Sequence, residues 1–309
     1  MKLWVDAPSI ARKFTQRDEY DAVAGFLGHM GKIIRRLQPS ALAFFWDEKR
    51  SARRMSLWPR YKAARSEQRE KTPEEMARIF SHLDFLRERV LPALGTPQIR
   101  LPGMEADDLL YAGVQAFPAG RTIILTTDKD FIQLVDSRVS ILLDRPGQSC
   151  MVTERTLRDY FQANSAGQYL LLRLLSGDRS DGIPGIGGLG PVKAQRVIEK
   201  CLGLEDLMAR KEELSQDPDF AHIFTPEGIA NLDRNWELMD LSRGEGSDPT
   251  TIDLVRRALL GGIHQSSTEE IARRLADKPL IASEVCFALL DFEAVVTQMS
   301  AAVERLRKP

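Results

Sequence analysis

Cysteine and histidine are scarce in this chain: three cysteines and four histidines among 309 residues. Cys150, Cys201 and Cys286 lie far apart and form no C-x-x-C, so neither a zinc site nor a disulfide framework is expected. His29, His82, His222 and His264 show no metal-ligand spacing. An excess of either charge is missing too. The formal net charge is −1, so the global balance announces no nucleic-acid partner and local charge must be read instead. No window is long and apolar enough to span a bilayer. The N-terminus, MKLWVDAPSI, turns acidic at once and lacks the apolar segment of a signal peptide. Internal repeats and low-complexity segments are absent. The expectation is a soluble protein of a reducing cytoplasm that makes no membrane contact. What is present is material for a core: 43% of residues are hydrophobic, enough for one large domain or two small ones.

The first half alternates short apolar runs with amphipathic stretches. KLWVD, ALAFFWD, TIILTTD and VSILLD read as buried strands, and Glu19–Leu37 and Glu105–Phe117 read as helices. This predicts an α/β fold, a mostly parallel sheet flanked by helices, over residues 1–150. One connection, about 49–93, is unusually long. Its first half is basic and broken by Pro59. Its second half opens on Thr72-Pro73-Glu74-Glu75, a capping box with proline at the first helical position, predicting a helix to about Ala93. From Thr153 the pattern is helical only. A second part over 151–261 carries the glycine-rich turn GIPGIGGLG, and a helical tail over 262–309 follows.

Among the strand runs that end in aspartate are those of Asp6, Asp47 and Asp128. At the carboxyl edge of a parallel sheet they would converge. Glu105, Asp107 and Asp108 begin a helix, Asp130 follows Asp128, and Asp178 and Asp181 flank a turn. Taken singly, each acid could serve a helix dipole or cap a turn. Together they would repel, and some would stay protonated unless cations neutralised them. Oxygen-only ligands select hard ions such as Mg²⁺ or Mn²⁺. Two such ions suit phosphodiester hydrolysis.

VDAPSI, FFWD, PRYKAAR, GMEADDLL, TTDKDF and GDRSDGIPGIGGLGPVKA, in that order, resemble the 5′-nuclease superfamily: flap endonucleases, phage 5′-3′ exonucleases of the ribonuclease H type, and the 5′-nuclease domain of bacterial DNA polymerase I. The resemblance runs from Met1 to about Leu260, and RNWELMDL adds a phage-type stretch. It implies a PIN-like core with a helical arch over the metals. It also implies a helix–three-turn–helix, about 170–202, that binds duplex and offers a place for K⁺. The implied activity is a structure-specific 5′-nuclease using two Mg²⁺ ions, with Mn²⁺ as a substitute, in replication or repair. Its partners would be DNA with a 5′ flap, 5′ overhang or nick, and RNA–DNA hybrids, met by a monomer. Asp6, Asp47, Glu105 and Asp107 look like the group around the first ion, with Asp107 bridging toward the second. Asp128, Asp130, Asp178 and Asp181 look like the second group, and Asp108 matches an outer acid. Lys62 matches the lysine that stabilises charge on the scissile phosphate, and Arg65 its companion. Two positions depart from the pattern. Arg12 stands where relatives often have an aromatic residue, with Phe14 two places on. Lys193 arrives one place late, Val192 taking the usual position.

The physics of DNA binding is legible without the resemblance. Gly185, Gly187, Gly188 and Gly190 would let backbone approach a phosphate, and the helix start beyond them attracts anions. An ordinary tight hairpin is the plainer explanation of such a turn. The basic stretch Lys49–Lys71 supplies Arg53, Arg54, Lys62 and Arg65, interleaved with Trp58 and Tyr61, which could pack or stack. Two other functions compete. A PIN-like ribonuclease shares the acidic α/β edge but leaves the glycine turn and the long insertion unexplained. A catalytically silent DNA-binding protein would be favoured by a missing acid, and none is missing.

Overall fold

A computed structural model of the chain describes residues 1–16, 19–65, 67 and 72–260. The central sheet has six strands in the order β3-β2-β1-β4-β5-β6. They are β1 Lys2–Asp6, β2 Ala41–Phe45, β3 Gln98–Ile99, β4 Thr122–Thr126, β5 Val139–Arg145 and β6 Gln148–Val152. The first five run parallel, and β6 returns antiparallel to β5 around Gly147 (φ +74°). The sequence expectation of helices between strands holds for Glu19–Leu37, and the helix expected over Glu105–Phe117 spans Ala106–Ala116. The strand β6 was not expected; its five residues carry too little alternation to stand out.

Alternation along β1 sorts its residues onto two faces, as strand geometry requires. Leu3 and Val5 join Phe44, Leu125 and the helical residues Ile10, Phe26 and Leu27 in one buried cluster. Trp4 joins Phe45, Ile124 and Leu109 in the other. The second cluster does not stop at residue 150. It continues through Leu174, Ile186, Leu232 and Val255, so the helical part shares a core with one face of the sheet.

The long connection begins with helix Ala52–Leu57 and resumes with helix Pro73–Phe85, which passes through a π-helical turn, Leu86–Val90, to a last turn at Leu91–Ala93. Thr72 occupies the N-cap position, but its side chain makes no capping hydrogen bond. Helix Ala166–Ser176 ends at Gly177, and a small antiparallel ladder, Gly177–Asp178 with Ile183–Pro184, closes the loop that carries Asp178 and Asp181. Helix Pro191–Lys200 follows the glycine turn, and helices Pro226–Met239 and Pro249–Leu260 complete the described chain. No described helix is long and apolar enough to cross a membrane. The expected tail helices, Ser267–Ala276 and about Ser283–Arg307, lie outside the described residues, as do 66 and 68–71 of the basic stretch.

Candidate active site

The strands β2, β1 and β4 are neighbours, and their carboxyl ends carry the acids. Asp6 is the last residue of β1. Asp47 follows β2 by two residues and Asp128 follows β4 by two. Asp6 caps the short helix Ala7–Ala11, accepting from Ser9 N at 3.4 Å, and takes a 2.6 Å hydrogen bond from the Thr126 hydroxyl. Burial pushes its carboxyl up to about 6 against the side chains of Thr126 and Ser9, and Asp47 and Asp128 add to the rise. Asp47 is exposed, and its Oδ1 accepts from Ala106 N at 2.8 Å, capping the helix that bears Glu105 and Asp107 at its start.

Glu105 gathers three donors: Lys62 Nζ at 2.7 Å, Arg54 Nη1 at 2.8 Å and the Tyr61 hydroxyl at 2.8 Å. Burial alone would raise this carboxyl, but Lys62 and Arg54 hold it below its ordinary value. Asp107 is the opposite case. Among the described residues it accepts no hydrogen bond. Burial drives its carboxyl well above the usual range against the pull of Lys62, with Glu105 close by. A carboxylate so placed gains most from a hard cation.

The second group is held by cations of the chain itself. The Asp128 carboxylate accepts from Asp130 N at 2.9 Å. Burial and Asp128 push Asp130 up to about 7, opposed by Arg173. Arg173 Nη2 reaches both Asp130 Oδ1, at 2.7 Å, and Asp178 Oδ2, at 2.5 Å. Asp178 sits below its ordinary value: Ser180 hydrogen bonds and Arg173 together outweigh burial. Asp181 pairs with Arg65, and its carbonyl accepts from Lys62 N at 2.8 Å. Lys62 stands in the left-handed region (φ +54°), a conformation costing about 1–2 kcal/mol for a residue with a Cβ, and this hydrogen bond helps retain it. Asp6, Asp47, Glu105, Asp107, Asp128, Asp130, Asp178 and Asp181 therefore share one electrostatic neighbourhood. Even so, no three carboxylates among the described residues converge on one point, because Lys62, Arg65 and Arg173 stand between them.

Three expectations need correction. Asp108 does not face the acidic edge, and Arg54 does not face solvent. They are 0% and 2% exposed and pair in a fork, Nη1 to Oδ2 and Nη2 to Oδ1, both at 2.9 Å. Arg54 Nε also donates to Leu238 O at 3.2 Å. Nor is Tyr61 a stacking surface: it is 3% exposed and spends its hydroxyl on Glu105. Arg53 is half-buried and bound to Glu237. Trp58 lies under Arg234, its Nε1 donating to Gly182 O at 2.8 Å. The residues Ser51–Arg65 thus root the insertion in the second half of the chain. Arg173 was missed by sequence reading. Its only signal was an arginine in an otherwise apolar stretch, LLLRLLSG, five places before Asp178.

A cavity of about 340 Å³ opens beside Asp47 and Glu105 under helix Pro73–Phe85. Arg12, Lys62, Arg65 and Arg87 are among the residues that line it. Arg12 is exposed and makes no side-chain hydrogen bond or ion pair among the described residues. The glycine turn divides by environment. A Cβ on Gly185 would lie 2.6 Å from Leu175 O, so this glycine serves the protein's own packing. Gly187 and Gly190 face open space, which leaves room for an external group. Gly188 (φ +76°) lies against His222. Lys193, on the helix that follows, is paired with Asp219 at 3.0 Å.

Comparison with known proteins adds a lineage to this geometry. The family described as 5′-3′ exonuclease, N-terminal resolvase-like domain, matches residues 7–162. DNA polymerase I of Mycobacterium tuberculosis (strain H37Rv) is 33% identical over 228 residues, covering 72% of this chain and 24% of that protein. A 5′-3′ exonuclease of Streptomyces coelicolor is 33% identical over 201 residues, covering 62% of this chain and 66% of that one. The solved bacteriophage T5 flap endonuclease, a pseudo-enzyme–product complex with DNA and metal ions, superposes with a TM-score of 0.71 at 18% identity, covering 84% of this chain and 98% of that one. At that identity the likeness establishes a shared fold. The chain spans between 22% and 27% of the length of the DNA polymerase I relatives it matches.

Proposed function

We propose, because this chain belongs to the family of 5′-3′ exonuclease N-terminal, resolvase-like domains, that it hydrolyses phosphodiester bonds near the 5′ ends of branched or nicked DNA. The observation that carries this reading is the oxygen-only acidic edge, with Asp107 half-buried, unpaired and short of a cation. The donor set fits Mg²⁺, with Mn²⁺ as a substitute: Asp6, Asp47, Glu105 and Asp107 for one ion, and Asp128, Asp130, Asp178 and Asp181 for another. Such ions, when bound, supply an activated water and stabilise charge on the attacking and leaving oxygens.

The chain's own residues do the rest. Lys62, held on Glu105 at 2.7 Å, is a preorganised cation for charge developing on the phosphate. Arg65 is its more exposed companion. The basic cavity under helix Pro73–Phe85 suits a single 5′ strand, and the open glycines Gly187 and Gly190 suit a duplex phosphate. Asp108 and Arg54 serve as a buried support beneath Glu105, and Tyr61 as its third donor.

The test compares three labelled substrates in Mg²⁺ and in EDTA: a 5′ flap, an intact blunt duplex, and single-stranded RNA. Mg²⁺-dependent cutting of the flap near its junction is expected. Cutting confined to RNA would favour the ribonuclease reading, and tight flap binding without cutting would favour the silent binding protein.

A further inference from the structure

The second acid group is bridged by an arginine that the reading above gives no role. Arg173 comes from the last turn of helix Ala166–Ser176, and its Nη2 lies between Asp130 Oδ1 (2.7 Å) and Asp178 Oδ2 (2.5 Å). One nitrogen thus spans two carboxylates that the proposed function assigns to a single ion. The rest of the guanidinium is poorly served. Its Nε is buried and has no hydrogen-bond partner among the described residues. A charged donor left unsatisfied is costly, so this arrangement is not one that packing alone favours. Arg173 also lines a groove of about 570 Å³ between helices Leu157–Phe161, Ala166–Ser176 and Pro191–Lys200, where Lys129 stands beside it. The groove gives the side chain somewhere to go.

We infer that Arg173 is a built-in competitor for the second ion: it occupies the Asp130–Asp178 pair until a divalent cation displaces it into the groove. The inference rests on the proposed function. It makes Arg173 a positioning residue, acting through the carboxylates. The chemistry is an exchange of partners. A dication takes the two carboxylate oxygens, and the guanidinium moves toward the groove, where Lys129 marks a place for DNA phosphate. A phosphate there would satisfy the bidentate fork and the orphaned Nε that the carboxylates leave unused. The second ion then binds weakly to free protein and more tightly once DNA has recruited Arg173.

Calorimetric titration of Mn²⁺ into DNA-free protein tests this without reading activity. Wild type is expected to show two ions, the second weaker. Arg173→Met should tighten the second ion by about tenfold or more and leave the first within about threefold. Arg173→Lys, which keeps the charge, should restore the wild-type value. An unchanged or weakened second ion in folded Arg173→Met overturns the inference. Wild type that binds no divalent ion overturns the proposed function instead. Should Arg173→Met fail to fold, crystals of wild type soaked in Mn²⁺ decide. Anomalous density at both acid groups with Arg173 turned into the groove is expected, and Arg173 still bridging Asp130 and Asp178 beside two ions refutes it.

Discussion

Arg54 offers a sharp choice between a DNA contact and a buried strut. Its guanidinium donates to Glu105 at 2.8 Å, to Asp108 twice at 2.9 Å and to Leu238 O at 3.2 Å, and both ionic partners are nearly or wholly inaccessible. Arg54→Met leaves Asp108 charged, enclosed and without its fork. Gly244 and Gly246 press on that residue, a Cβ on Gly246 reaching 2.0 Å from Asp108 O, so the site cannot open readily to water. Breaking such a pair from one side costs about 3–5 kcal/mol. Protonation limits the cost, because burial already lifts the Asp108 carboxyl above its ordinary value, so the loss should shrink at lower pH. Adding Asp108→Asn removes the stranded charge and should recover roughly half of the stability. Urea unfolding at pH 7.5 measures all three variants. The slope of DNA affinity against salt supplies the second readout: a lost phosphate contact would lower it by about one unit, a lost strut would not. A stability change under about 1 kcal/mol, together with a shallower salt slope, would refute the structural role.

Lys62→Ala should lower kcat by about a hundredfold, on the order of 3 kcal/mol, with KM nearly unchanged, since a cation preorganised for developing charge acts in the transition state; single-turnover kinetics check this, and a rise in KM alone would make Lys62 a docking residue. Bulky residues at Gly187 and Gly190 together should leave the fold intact and weaken duplex binding equally across DNA sequences, whereas Gly185→Ala should disturb folding, a contrast read by circular dichroism and filter binding. Asp6 and Asp130, raised by burial to about 6 and 7, bind protons more tightly folded than unfolded, so their contribution to stability falls as pH rises from about 4 to 7. Glu105 and Asp178, which are lowered, contribute stability that is present across that window and is lost only as pH falls below their ordinary values. Divalent ions should remove the penalty, so the Tm gain on adding Mg²⁺ should be larger at pH 8 than at pH 5.5; an equal gain at both would count against ions at this edge.

Strand ends were the most legible part of the sequence, for a physical reason. A parallel strand buried on both faces must be a continuous apolar run, so the charged residue that ends it is visible. KLWVD and TIILTTD thereby located Asp6 and Asp128, and sheet order made the acids neighbours. What the acids touch was not legible. Asp107 and Asp108 are adjacent, yet a helix turns successive residues about 100° apart, so one faces the acidic edge and the other Arg54. Nothing in EADDLL says which. Arg54 and Arg65 likewise look alike in a basic stretch, and only their long-range partners, Asp108 and Asp181, separate them. The glycines of the turn carried a mixed signal, since Gly185 is required by Leu175 O and Gly187 by nothing inside the protein. Arg173 was hidden for the same reason: its two carboxylates are 43 and 5 residues away.

The most direct test of the account is the Asp107→Asn variant on a 5′-labelled flap in Mg²⁺, with binding measured in parallel. Asp107 alone among the site acids is without a hydrogen bond from the described residues, which leaves its carboxylate available to the proposed ion. The amide has the same shape and spares the basic residues proposed to hold DNA. Wild type should cut near the junction with Mg²⁺ and not with EDTA. Asp107→Asn should bind the flap with wild-type affinity and cut it slower by orders of magnitude. Near-normal cutting by Asp107→Asn, or cutting by wild type in EDTA, would contradict the claim that this acidic edge is a metal-dependent nuclease centre.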